Sequence, residues 1–288
     1  MAGKGVRLGR FFGIEVAANP SVLVIAALLT WSLAASILPS GAPGLVSTAY
    51  WTVALVGALL FLVSLLAHEL AHSVVARRND VEVEGVTLWM FGGVAQFRSD
   101  PATPGADFRI TAAGPAMSLL LGAMFLAGSF GLSAVGGPEV YAVAFGWLGL
   151  INIVLALFNL LPGSPLDGGR LVAAGLWKLH GDRTRGRIGA AMAGRVVGGG
   201  LMALGVAEFY FLGGGSGLWT VLIGWFLFGS ARRELEYYRQ VQGLERIAAA
   251  QLAAQQVATQ QAGGELTPPP PPAVTAVQHW EAPVPSHR

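Results

Sequence analysis

The chain has 288 residues, 53% of them hydrophobic and only 12% charged, with a mean hydropathy of +0.58. Soluble globular domains carry roughly 25% charged residues, so that class is excluded, and a net charge of +2 argues against a nucleic-acid-binding surface. The absence of cysteine excludes disulfides and thiolate metal sites.

The apolar runs are about 20 residues long and do not alternate, which indicates helical spans rather than barrel strands. Residues 1–19 carry Lys4, Arg7 and Arg10. They lead into an apolar run long enough to span, so the start reads as a retained anchor, not a cleaved signal. Six spans are predicted, at 20–39, 49–76, 109–133, 140–162, 188–212 and 217–231. The predicted fold is an all-α integral membrane protein, a six-span helical bundle over 20–231. Every second connection is basic: Arg77, Arg78 and Arg98, then Arg170, Lys178, Arg183, Arg185 and Arg187, then Arg232 and Arg233 after the last span. The other connections hold at most one acid, Glu139. By the positive-inside rule both termini are expected in the cytoplasm.

Span two holds His68-Glu69-Leu70-Ala71-His72, and Glu69 is its one charged side chain between Trp51 and Ala76. On a helix, positions i and i+4 share a face, so both imidazoles can point at one metal ion. Neutral imidazole suits zinc at about 2.0–2.1 Å. Glu69, one position around the helix, can reach a water held by that ion and accept its proton. A chance match is the competing reading. It leaves unexplained an acid at mid-span, which costs roughly 2.5–3.5 kcal/mol on translocon scales.

Residues 86–97 are apolar, broken by Gly92 and Gly93, and too short to span. They read as a short membrane-associated β-hairpin or re-entrant loop. An exposed strand edge there could bind an unwound substrate as an added strand; a simple interfacial hairpin is the alternative. Residues 112–118, Ala-Ala-Gly-Pro-Ala-Met-Ser, open span three and suggest close helix packing. No catalytic role is assigned to Ser118.

Span four ends in Asn159-Leu160-Leu161-Pro162-Gly163-Ser164-Pro165-Leu166-Asp167-Gly168-Gly169-Arg170. Spans two and four run in the same direction, which puts Asp167 at a depth comparable to His72, roughly 8 Å from the cytoplasmic end. Prolines and glycines can unwind the chain there and aim an acid inward, where irregular backbone lines a protein cavity. Two His and one carboxylate make a three-ligand site with an open position. A turn residue at the interface is the alternative for Asp167, and a helix–helix hydrogen bond is the alternative for Asn159.

Glu208, near the outer end of span five, reads as an interfacial acid. His180 reads as a solvated loop residue, and His279 and His287 lack ligand spacing. Gly198–Gly200 and Gly213–Gly215 suggest close packing and a turn. Residues 232–262 are expected to be cytoplasmic and helical. Residues 263–288, with prolines at 268–272, are expected to be disordered.

Together these residues resemble the site-2 protease family of intramembrane zinc metalloproteases. The likeness covers most of residues 5–231 and rests on the His68-Glu69-x-x-His72 helix followed far downstream by Asn159, Pro162, Pro165, Asp167, Gly168 and Gly169. The resemblance implies one zinc per chain on His68, His72 and Asp167, with Glu69 as general base. It implies that Asn159 helps hold substrate or stabilise the oxyanion, and that the 86–97 segment receives the substrate. Where family members often carry Asn, this chain has Ser118. Neither the PDZ domain nor the pair of ligand-sensing CBS domains found in many relatives is expected within these residues.

The implied function is a zinc-dependent endopeptidase that cuts transmembrane segments of regulatory membrane proteins in a bacterial or archaeal cell membrane. Its partners would be a transmembrane protein substrate and the lipid bilayer, with no nucleic acid; a homodimer is left open. The rival reading is a divalent-cation or proton transporter built on the same His/Glu/Asp cluster. Transporters often show internal repeats, and the zinc motif has no counterpart in the second half.

Overall fold

The computed structural model describes residues 5–89, 92–212 and 215–261. The chain divides into two units, Met1–Gln242 and Gly243–Arg288. The described part of the second unit is helical.

The first unit is mostly helical and carries one four-stranded sheet, larger than the hairpin expected from sequence. Strands β1 (Val6–Phe11) and β2 (Ile14–Ala18) pair antiparallel. The chain then rises through α1 (Val22–Ser32), a π-helical turn (Leu33–Ile37) and α2 (Leu38–Gly41), and returns down α3 (Ser47–Arg77). It re-enters the sheet as β3 (Val83–Trp89), parallel to β2, and β4 (Gly92–Phe97), antiparallel to β3. The order is β1-β2-β3-β4, so β4 is an edge. An all-α fold therefore does not hold for residues 6–18. This stretch alternates at Val6, Leu8, Ile14 and Val16 with the strand period, in a basic segment that adjoins the first apolar run. Its pairing with β3 reaches across the whole α1–α3 excursion.

The sheet has one buried face. Ile14, Val16, Val86 and Leu88 alternate toward Leu65 and Leu70 of α3, the period-2 pattern of a half-covered sheet. Arg77 at the end of α3 donates from Nη1 to Phe12 O at 2.6 Å, closing the β1–β2 turn onto the helix.

The remaining helices are α4 (Pro104–Ala134), α5 (Glu139–Asn159), α6 (Asp167–His180), α7 (Arg183–Leu212) and α8 (Ser216–Gln261). The start of α4 has clear local causes. Thr103 Oγ1 accepts from Ala106 N at 3.2 Å, Pro104 occupies the first turn, and Asp107 sits where the helix dipole favours an acid. Helices α7 and α8 meet through glycines: a Cβ at Gly205 would lie 2.6 Å from Gly217 O, and one at Gly198 would lie 2.9 Å from Gly224 O. Close backbone approach through small residues is how helices gain contact in lipid, where burial supplies no drive between them.

Among the described residues, five helices are long and apolar enough to cross a membrane: Val22–Gly41, Ser47–Arg77, Pro104–Ala134, Glu139–Asn159 and Arg183–Phe211. These correspond to the first five predicted spans. The sixth, 217–231, is not among them. It lies inside α8, and its apolar stretch ends at Arg232 and Arg233. At 1.5 Å per residue that stretch covers about 22 Å, against roughly 30 Å of hydrocarbon.

Candidate metal centre

His68 and His72 lie one turn apart on α3 and are buried, 2% and 5% exposed. Their Nε2 atoms are 3.2 Å apart, and each is 3.2 Å from Oδ2 of Asp167. Asp167 is the first residue of α6. The turn before it, with Pro162 and Pro165, carries the chain from the end of α5 back into the bundle. Gly168 and Gly169 make the sharp re-entry sterically feasible. A Cβ at Gly168 would clash with the carbonyls of Leu160 and Leu161, and one at Gly169 with the backbone of Gly163 and Ser164.

Outer contacts fix the imidazoles. Nδ1 of His72 lies 2.8 Å from the carbonyl oxygen of Ile110 on α4. A carbonyl only accepts, so Nδ1 carries the proton and Nε2 of the neutral ring presents a lone pair. Nδ1 of His68 lies 2.9 Å from Ser118 Oγ, also on α4. The hydroxyl can accept, so His68 can hold the same tautomer. Oδ2 of Asp167 is buried and has no hydrogen-bond partner among the described residues.

Three electron-pair donors thus converge, all within 4.8 Å of one another, with no proton required between them. Such a cluster repels itself unless a cation lies among its members. Two imidazoles and one carboxylate are a donor set suited to zinc, and three protein ligands leave a further position for water or substrate. The space is kept open by Gly114 of α4, where any Cβ would clash with His72 Nε2 and crowd His68 Nε2.

Glu69 is half-buried between the histidines in sequence. Strand β4 passes directly over it, so a Cβ at Gly93 would run into the Glu69 side chain. A carboxylate and a sheet edge therefore flank the His/His/Asp cluster. Asn159 ends α5, and its amide turns back within that helix, donating to Leu155 O at 3.0 Å. The structure thus converges His68, His72 and Asp167, sets Glu69 beside them, and gives Asn159 a bond within its own helix.

Two intramembrane or loop candidates have ordinary partners. Glu208 accepts from Thr220 Oγ1 at 3.0 Å. His180 is exposed, with Nδ1 3.0 Å from Leu176 O. His279 and His287 lie outside the described residues. The sequence discloses α4 as a span but not its contacts with the two rings. Ser118 and Gly114 carry only the signal of small packing residues, and the Ile110 carbonyl carries no side-chain signal at all.

The model of Peptidase family M50 matches residues 56–203, a stretch that contains the whole cluster. The chain belongs to Peptidase family M50. As an M50 chain with five membrane-length apolar helices, it is an integral membrane protein.

Rip3 of Mycobacterium tuberculosis is 53% identical over 229 residues, which is 80% of this chain and 58% of Rip3. This M50 chain thus spans less than two thirds of that relative's length. Zinc metalloprotease MJ0392 of Methanocaldococcus jannaschii is 39% identical over 134 residues, 46% of this chain and 37% of that protein. Among solved structures, the site-2 protease from Methanocaldococcus jannaschii matches with a TM-score of 0.52 at 26% identity. The match covers 80% of this chain and 95% of that one.

Proposed function

We propose that this chain is a zinc-dependent endopeptidase that cleaves a transmembrane segment of another membrane protein. The observation that carries this reading is the convergence of His68 Nε2, His72 Nε2 and Asp167 Oδ2, with Oδ2 lacking any hydrogen-bond partner among the described residues. Family membership and the likeness to a site-2 protease support it.

His68, His72 and Asp167 would hold the ion. When bound, zinc supplies Lewis acidity to the scissile carbonyl and makes water a nucleophile near neutral pH. Glu69 takes the proton of the attacking water and returns it to the departing amine. Ser118 and the Ile110 carbonyl keep the two rings aimed while this happens. A helical substrate must first unwind, because its own hydrogen bonds shield the scissile carbonyl. The free edge of β4, passing over Glu69, offers pairing to the extended form. Asn159 has a second amide N–H for a substrate carbonyl.

We further place 217–231 as a sixth, short span and both termini in the cytoplasm, following the alternation of basic connections. The cut then falls near the cytoplasmic side, in a regulated pathway in which the substrate is trimmed outside first.

The test is zinc per chain in detergent-purified protein, with cleavage of a transmembrane reporter in liposomes. Wild type should carry near-stoichiometric zinc, lost in His72→Ala and Asp167→Ala, and should cut the reporter. Zinc lost in the His variant alone would return Asp167 to a turn residue. Metal uptake into proteoliposomes without cleavage would favour the transporter.

A further inference from the structure

Helix α4 touches both histidine rings, and it also reaches the third member of the cluster indirectly. Asp107, in its first turn, is 1% exposed. Its Oδ1 lies 3.3 Å from Nη2 of Arg170, and its Oδ2 lies 3.0 Å from Nη2 of Arg187. Arg170 is three residues after Asp167, one turn along α6. Its guanidinium also stands over the Phe97 ring at the end of β4, 5.7 Å from the centroid. Arg187, 7% exposed, belongs to α7, which carries none of the cluster.

Buried ion pairs contribute little net stability, because desolvation offsets the attraction; their best-attested role is to fix one geometry over others. Here a single carboxylate anchors the first turn of α6. The turn follows a Pro/Gly loop that Ser164 N ties to Ala190 O of α7 at 3.2 Å, and among the described residues Asp107 is the buried carboxylate that reaches it from α4. On the reading that His68, His72 and Asp167 hold zinc, we infer that Asp107 is a positioning residue for Asp167, acting through Arg170. Helix α4 then aligns all three members: Ser118 for His68, the Ile110 carbonyl for His72, and Asp107 for Asp167. The Arg187 arm leads to α7, which supplies no member of the cluster.

The two arms give the test. Arg170→Gln and Arg187→Gln each remove one guanidinium from the same carboxylate. Both should lower the melting temperature in detergent. Apparent zinc affinity, measured by competition with a chromophoric chelator, should fall about 10–100-fold in Arg170→Gln, the usual range for loss of an outer partner. In Arg187→Gln it should match wild type. Cobalt-substituted protein should show an altered visible spectrum only in Arg170→Gln. Equal loss of zinc affinity in both variants, or none in Arg170→Gln, would overturn the inference while leaving the zinc site standing. A wild type that binds no zinc would instead overturn the zinc reading and this inference with it.

Discussion

Ser118 Oγ lies 2.9 Å from Nδ1 of His68, joining α4 to α3 across fifty residues of chain. Both groups are buried, so removing the hydroxyl leaves a ring nitrogen in the bundle without its partner. Ser118→Ala should therefore weaken zinc about 10–100-fold and lower stability by about 1–3 kcal/mol. Chelator competition and detergent melting check the two effects. Unchanged affinity would show that α3 alone aims the ring.

Glu69→Gln keeps the shape of the side chain and removes its basicity. Zinc content and melting temperature should stay at wild-type values, while cleavage of a transmembrane reporter falls on the order of 10²–10⁴-fold. Cleavage as fast as wild type would remove Glu69 from the mechanism.

Gly114→Ala puts a methyl group onto His72 Nε2. Zinc should be lost and the melting temperature should drop. Gly175→Ala is the matched control. It lies inside α6, where a Cβ meets nothing within 4 Å, so it should be neutral or stabilising by up to about 1 kcal/mol. Metal analysis beside melting curves separates the two.

Gly93→Ala pushes β4 against Glu69 rather than against the histidines. Zinc should remain near-stoichiometric while cleavage falls sharply. Loss of zinc together with activity would mean that β4 braces the whole cluster and not the base alone.

Stripping the metal leaves three mutually repelling donors in the bundle. Melting temperature should therefore fall on chelation and recover with added zinc. At a zinc concentration 100 times Kd the gain is about 2.7 kcal/mol. His72→Ala should show no such response.

Part of this was legible from one dimension because it obeys a local period. His68 and His72 share a face by the 3.6-residue repeat, and Glu69 must lie beside them. The first five spans are visible because lipid demands unbroken apolar runs. The 217–231 stretch sits near the length limit, where hydropathy alone loses its force. Asp167 is legible only through its motif and its depth, since nothing within the Pro/Gly turn says where its carboxylate points.

Composition and helical periodicity are properties of contiguous residues, so they suffice to establish a membrane protein carrying a His/Glu/His helix and a downstream acid. It takes the folded chain to bring β1 and β2 beside β3 and β4 in one sheet. The same fold lays Gly93 on Glu69, keeps room between the rings at Gly114, and sets the rings against Ile110 and Ser118. Those relationships depend on backbone atoms and on the absence of a Cβ, across separations of 38 and 50 residues at the two histidines. No local pattern encodes a carbonyl direction or an empty volume; packing α4 against α3 creates both.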